Sequence, residues 1–141
     1  MVFNFIAVPT DVICLLRFSY PAMWPECINV AAVAKEADLP VASFSNTNNQ
    51  VDYAGIGVRV VSLKPEGGRQ TMDGTSMACP HVCGLVAALL SNNPVTGDAE
   101  MRERLNEYAI DIGVSGPDNA TGLGFLTYLT KEEFDAMWEG I

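Results

Sequence analysis

Asp73-Gly74-Thr75-Ser76-Met77-Ala78-Cys79-Pro80-His81-Val82-Cys83-Gly84, running on through Leu85-Val86-Ala87-Ala88-Leu89-Leu90, is the stretch on which the reading turns. A glycine-bearing turn passes into an apolar, alanine-rich run with helical spacing. Thr75 or Ser76 is expected to cap a helix that extends to about Leu90, where Asn92, Asn93 and Pro94 stop it. A hydroxyl at a helix N-terminus lies among free N–H groups and at the positive end of the helix dipole. Negative charge that develops there is stabilised, which suits a nucleophile whose attack creates an oxyanion. The same pattern also describes a hydroxyl that does nothing but cap the helix. Pro80 falls near the fourth or fifth helical position, where its missing N–H begins to cost a backbone bond.

The neighbouring segments give an α/β pattern. Cys27 to Ala34 is a short, continuous apolar run, as expected for a strand buried on both faces of a parallel sheet. Residues 43–50 are a polar loop. Gly57 to Leu63 reads as a second strand, Lys64-Pro65-Glu66-Gly67-Gly68 as a turn, and Arg69 to Met72 as the returning strand of a hairpin. Beyond the Ser76 helix, Asp98 to about Ala109 forms another, with Met101, Leu105 and Tyr108 along one face. Asp111 to Gly124 is a glycine-rich loop. Thr130 and Glu133 have the spacing of a capping box that opens a short helix ending near Trp138. Residues 1–18 form an apolar segment with no placement of its own, and support a signal peptide poorly: Pro9, Asp11 and Arg17 interrupt them, with no basic start.

Composition bounds the function. The 141 residues are 49% hydrophobic and 18% charged, a globular balance, and the net charge of -9 speaks against a nucleic-acid partner. No segment has the apolar length of a membrane span. The four cysteines, Cys14, Cys27, Cys79 and Cys83, make no C-x-x-C pair and share one histidine, so a zinc site is not expected. Cys79 and Cys83 fall four apart on the helix, a spacing that regular helix geometry does not close into a disulfide. They read as small buried apolar residues.

Gly74-Thr75-Ser76-Met77-Ala78-Cys79-Pro80-His81-Val82-Cys83-Gly84 resembles the serine-containing signature of the subtilisin family, Gly-Thr-Ser-Met-Ala-x-Pro-His-Val-x-Gly, with cysteine at both variable positions. Tyr20-Pro21-Ala22 with Ile28 to Val33, Ala42-Ser43-Phe44-Ser45, Val51-Asp52 through Gly57 and Gly122-x-Gly124 are similar to further family motifs in the same order, with Ile56 where the family has proline. The resemblance covers residues 19–126. It implies the C-terminal part of a subtilisin-like three-layer α/β domain with a mainly parallel sheet, followed by a 127–141 extension and preceded by a divergent 1–18 segment. It implies a serine endopeptidase in which Ser76 attacks the peptide carbonyl and its backbone N–H helps hold the oxyanion. Gly74, Thr75, Met77, Pro80 and His81 support that motif, and Ser19 falls where the family lines the pocket for the substrate residue before the cleaved bond.

The resemblance also names what to look for upstream. Family order is aspartate, histidine, serine, and both earlier members belong N-terminal of Tyr20. His81 is five residues beyond Ser76, about 140° around the helix, and does not replace the missing base. The family's Ala-Gly-Asn-Glu type loop, which gives a second oxyanion donor, is absent: that neighbourhood reads Ile6 to Ile13, and Asn4 nearby lacks the Gly-Asn context. The chain by itself is therefore expected to be inactive and, with apolar strands cut from half of a sheet and Ile28–Val33 short of neighbours, to be aggregation-prone or poorly ordered unless it pairs with the missing half. The partners implied are a peptide or protein substrate and the preceding half of the domain. No cofactor is evident, a structural calcium enters by family analogy alone, and so does secretion. The alternative is a non-catalytic relic that binds peptides or proteins.

Overall fold

The computed structural model describes residues 5–7, 22, 24–92 and 97–138. A five-stranded sheet is built from β1 (Phe5–Ala7), β2 (Cys27–Ala34), β3 (Tyr53–Val58), β6 (Ala109–Ile110) and β7 (Phe125–Leu126), in the order β1-β2-β3-β7-β6. The first four in that row run parallel, and only β6 is antiparallel to its neighbour. A hairpin of β4 (Val60–Leu63) and β5 (Arg69–Met72) forms a separate ribbon. The helices are α1 (Thr75–Asn92), α2 (Asp98–Glu107) and α3 (Lys131–Ala136).

β2 is the centre of the molecule, and all eight of its residues are buried. Its alternation sends Ile28, Val30 and Ala32 toward α1 and α2, where they meet Val82, Leu85, Leu89, Met101 and Leu105. Ala31 and Val33 face the opposite way, toward Phe125 and Phe134 of α3. Helices thus cover both faces of a mainly parallel sheet, which is why a strand with no polar alternation is stable here. The expectation that Ile28–Val33 would lack neighbours is corrected. β1 pairs with one edge of β2, Ile6 opposite Ile28, and β3 pairs with the other, Val30 opposite Tyr53.

The strand expected over Gly57 to Leu63 is two strands in two different sheets. Arg59, at φ 53°, turns the chain between β3 and β4. The expected hairpin and the capping box are both present: Thr130 Oγ1 accepts from the Glu133 N–H, and the Glu133 carboxylate accepts from the Thr130 N–H at 2.9 Å. The closing Gly-x-Gly has a structural reason. Gly122 sits at φ 66° and packs so tightly on the Val51–Asp52 backbone that a Cβ would overlap it.

Pairing at long range ties α2 to the sheet. The Tyr53 hydroxyl donates to Asn106 Oδ1 at 2.7 Å. Arg102 donates to Asp52 Oδ1 at 2.8 Å, to the Cys27 carbonyl at 2.7 Å and to the Pro25 carbonyl at 3.0 Å. Asp52 in turn accepts from the Asn29 N–H of β2 at 2.7 Å. One guanidinium therefore joins α2, the loop before β3 and the start of β2.

Candidate active site

The site is set by how closely α1 can approach β3. Every second residue of β3 faces the helix, and two of these are glycine. A Cβ at Gly55 would come within 2.8 Å of the Ala78 carbonyl oxygen, and one at Gly57 within 2.8 Å of the Gly74 carbonyl oxygen. The missing side chains let the first turn of α1 lie on the strand, and the Gly74 N–H donates to the Gly57 carbonyl at 2.8 Å. Gly74 itself has φ 152°, and its carbonyl accepts from the N–H groups of both Met77 and Ala78. It occupies the capping position.

Thr75 and Ser76 were each expected as the cap; the structure corrects this, because the helix already begins at Thr75. Thr75 is buried and Ser76 is exposed. The Ser76 N–H precedes the first intrahelical bonds, so helix geometry gives it no intrahelical acceptor. No acidic side chain in the first turn offsets the positive end of the dipole. A serine hydroxyl is thus presented to solvent beside an amide and a dipole end that favour negative charge. Pro80 is the sixth helical residue rather than the fourth or fifth. An unbroken ladder would have residue 80 donate to the Ser76 carbonyl, and proline cannot. Met77 is half-buried, and Ala78 is sealed against β3.

His81 is turned away from Ser76 and onto the sheet. Its Nδ1 accepts from the Ile56 N–H of β3 at 2.9 Å, which places the proton of the neutral ring on Nε2. The ring stands edge-on to Phe125, centroids 5.3 Å apart, and lines a cavity of about 200 Å³ with Leu39, Phe125 and Trp138. Burial lowers its pKa below the usual histidine value. The neutral imidazole is thus engaged by a backbone amide of β3.

The cysteines depart from expectation in part. Cys27 and Cys79 are buried, but Cys83 is exposed and is not the buried apolar residue it was read as. The helix supplies the reason: position 83 shares the outward stripe of Ser76 and Pro80, whereas Cys79 is buried. Ser19 and Cys14 lie outside the described residues. Among the described residues, no cluster of three or more histidine, cysteine, aspartate or glutamate side chains could hold a metal ion, and no helix is long and apolar enough to cross a membrane. Sequence reasoning missed Gly55 and Gly57 as site-forming residues. Their signal was present, since two glycines in alternate positions of a strand mark a close backbone approach.

The chain is an α/β protein in which an exposed serine stands in the first turn of a helix seated on a mainly parallel sheet covered on both sides. Residues 11–124 match the subtilase family, and the chain belongs to it. It is 40% identical over 96 residues to subtilisin of Bacillus pumilus, an alignment covering 68% of this chain and 34% of that protein. It is 30% identical over 110 residues to the minor extracellular protease Epr of Bacillus subtilis (strain 168), covering 78% of this chain and 17% of the relative. Among solved structures, sphericase superposes with a TM-score of 0.73 at 30% identity, over 79% of this chain and 43% of that one. Fervidolysin from Fervidobacterium pennivorans, a keratinolytic enzyme related to subtilisin, gives 0.69 at 30% identity, over 86% of this chain and 20% of its own. The chain thus spans about a third or less of the curated relatives it matches.

Proposed function

We propose that this chain carries the nucleophile of a serine endopeptidase, with Ser76 forming the acyl-enzyme and its own N–H donating to the oxyanion. The observation that carries the reading is the exposed Ser76 in the first turn of α1, with Gly74 before it and no acidic side chain within that turn. Residues 19–126 are then the C-terminal part of the catalytic domain, with 127–141 an extension and 1–18 a divergent lead-in. The general base is not in these 141 residues: the sequence has one histidine, and that one accepts from Ile56 on the sheet. A serine without a base is a poor nucleophile, so the chain by itself is inactive. Polypeptide carrying the aspartate and histidine is its partner, and a peptide or protein its substrate. Ser19 lines the pocket for the residue before the cleaved bond, and secretion follows the extracellular relative.

Labelling with a serine-directed fluorophosphonate tests this, with Ser76→Ala as control. The expected result is no labelling of the chain alone and labelling, absent from the variant, once a subtilase segment with the aspartate and histidine is supplied. Labelling of the chain alone that Ser76→Ala removes would refute the missing base. No labelling under either condition, together with peptide binding unchanged in Ser76→Ala, would overturn the enzyme reading in favour of a peptide-binding module.

A further inference from the structure

Two thiols stand side by side on the Ser76 helix. Cys79 and Cys83 are one turn apart on α1, and the Cys79 thiol is hydrogen-bonded to that of Cys83. Cys83 is exposed, and Cys79 is 8% exposed beneath it. We propose that Cys79 and Cys83 form a dithiol chelate for thiophilic centres that take two sulfurs, trivalent arsenicals above all.

Helix geometry separates this pair from a disulfide. Side chains at i and i+4 have Cβ atoms about 5–6 Å apart, whereas a disulfide needs about 3.5–4.5 Å. A bridge containing one extra atom spans the longer gap without unwinding the helix. A four-coordinate zinc site needs more ligands than are at hand. The only imidazole is committed to Ile56, and no third ligand of the metal-binding type joins the pair among the described residues. Two sulfurs alone select soft centres. The buried thiol is also a firm proton holder, since burial, followed by the neighbouring Cys83, pushes Cys79 up to about 12. A condensation that releases water tolerates a protonated thiol better than capture of a bare cation, which must expel the proton.

The step balances without redox change. A monosubstituted arsenous acid, R–As(OH)₂, meets Cys83 first. The Cys83 S–H is lost, one As–O bond breaks, an As–S bond forms, and water leaves with the thiol proton. Cys79 repeats the step from below, closing a ring across one helical turn and releasing a second water. The arsenic remains trivalent throughout. This site is independent of any activity at Ser76.

The test uses the full chain, phenylarsine oxide as the probe, and intact mass as the readout. One phenylarsenic per chain is expected, retained in excess glutathione and removed by dithiothreitol, because only a dithiol competes with a chelate. Cys83→Ser, at an exposed position that spares the fold, is expected to lose the glutathione-resistant adduct, as is Cys79→Ser. The Cys14→Ser/Cys27→Ser double variant is expected to keep it. A resistant adduct that survives in Cys83→Ser, or one that disappears in the Cys14/Cys27 double variant, would overturn the assignment.

Discussion

Adding one methyl group at Gly57 tests the account of how Ser76 is positioned. In Gly57→Ala the new Cβ would stand 2.6 Å from the Ala32 Cβ and 2.8 Å from the Gly74 carbonyl oxygen. Ordinary contact begins near 3.4 Å, so the two neighbours must retreat by 0.8 and 0.6 Å. Neither can swing aside. Ala32 has no rotamers and belongs to the buried central strand, and the Gly74 oxygen is held by the N–H groups of Met77 and Ala78. Strand β2 or the first turn of α1 must move as a body, which places the cost at about 3 kcal/mol, the upper end for overpacking. In a chain of this size that is a fall in melting temperature of roughly 6–12 °C. Gly84→Ala is the internal control. Nothing lies within 4 Å of its added Cβ, and a helix interior prefers alanine by about 1 kcal/mol, so its melting temperature should rise. The assay is thermal unfolding by circular dichroism, with amide exchange at the Gly74 N–H as the local readout. Opposite signs are expected, with faster Gly74 exchange in Gly57→Ala. A Gly57→Ala protein that melts with the parent would refute the claim that strand glycines set the seat of the helix.

The histidine predicts a pH dependence. His81 is held neutral by burial, so its folded pKa lies below the unfolded value near 6.5. The unfolded chain then binds the extra proton first, and stability present above about pH 6.5 is lost as pH falls through the folded value. Urea midpoints measured on either side of pH 6.5 should show this fall and a shallower one in His81→Gln; equal slopes would contradict it. Arg102→Met should destabilise by about 1–3 kcal/mol, because Asp52 and the Pro25 and Cys27 carbonyls lose a shared donor. A double-mutant cycle with Asp52→Asn would separate the pair from the rest, and a change below about 0.5 kcal/mol would show that water replaces the guanidinium. Thr130→Ala removes half of the capping box and should cost about 1 kcal/mol, read as loss of exchange protection confined to α3. Loss of protection throughout the sheet would contradict this local role.

Local chemistry made much of this structure readable. The unbroken Cys27–Ala34 run announced a strand buried on both faces, and Thr130 with Glu133 announced a helix start, because each signal is contained within a few neighbouring residues. The errors arose where a distant partner decides. Gly57 to Leu63 is β-prone throughout, and nothing local says that Arg59 breaks it; the break comes from the Gly74 N–H, seventeen residues on, claiming the Gly57 carbonyl. Phe5–Ala7 could not be placed because parallel pairing with β2 leaves no local signature. At the site, Ser76 was legible from its motif. The outward aim of Cys83 and the engagement of His81 by Ile56 were not, since both depend on how α1 is rotated over the sheet.

The hairpin between β3 and α1 has a consequence for how such a chain can diversify. It leaves the core at Gly57 and returns at Gly74, and those two residues are hydrogen-bonded to each other, with the Arg59 N–H donating to Asp73 Oδ1 at the same neck. Everything between is an excursion whose ends are tied together, and its tip from Lys64 to Gly68 is exposed. Lengthening or replacing that tip changes the exposed ribbon without changing where the serine stands. The neck works as a socket, so recombination or library design can exchange the ribbon while the first turn of α1 keeps its place.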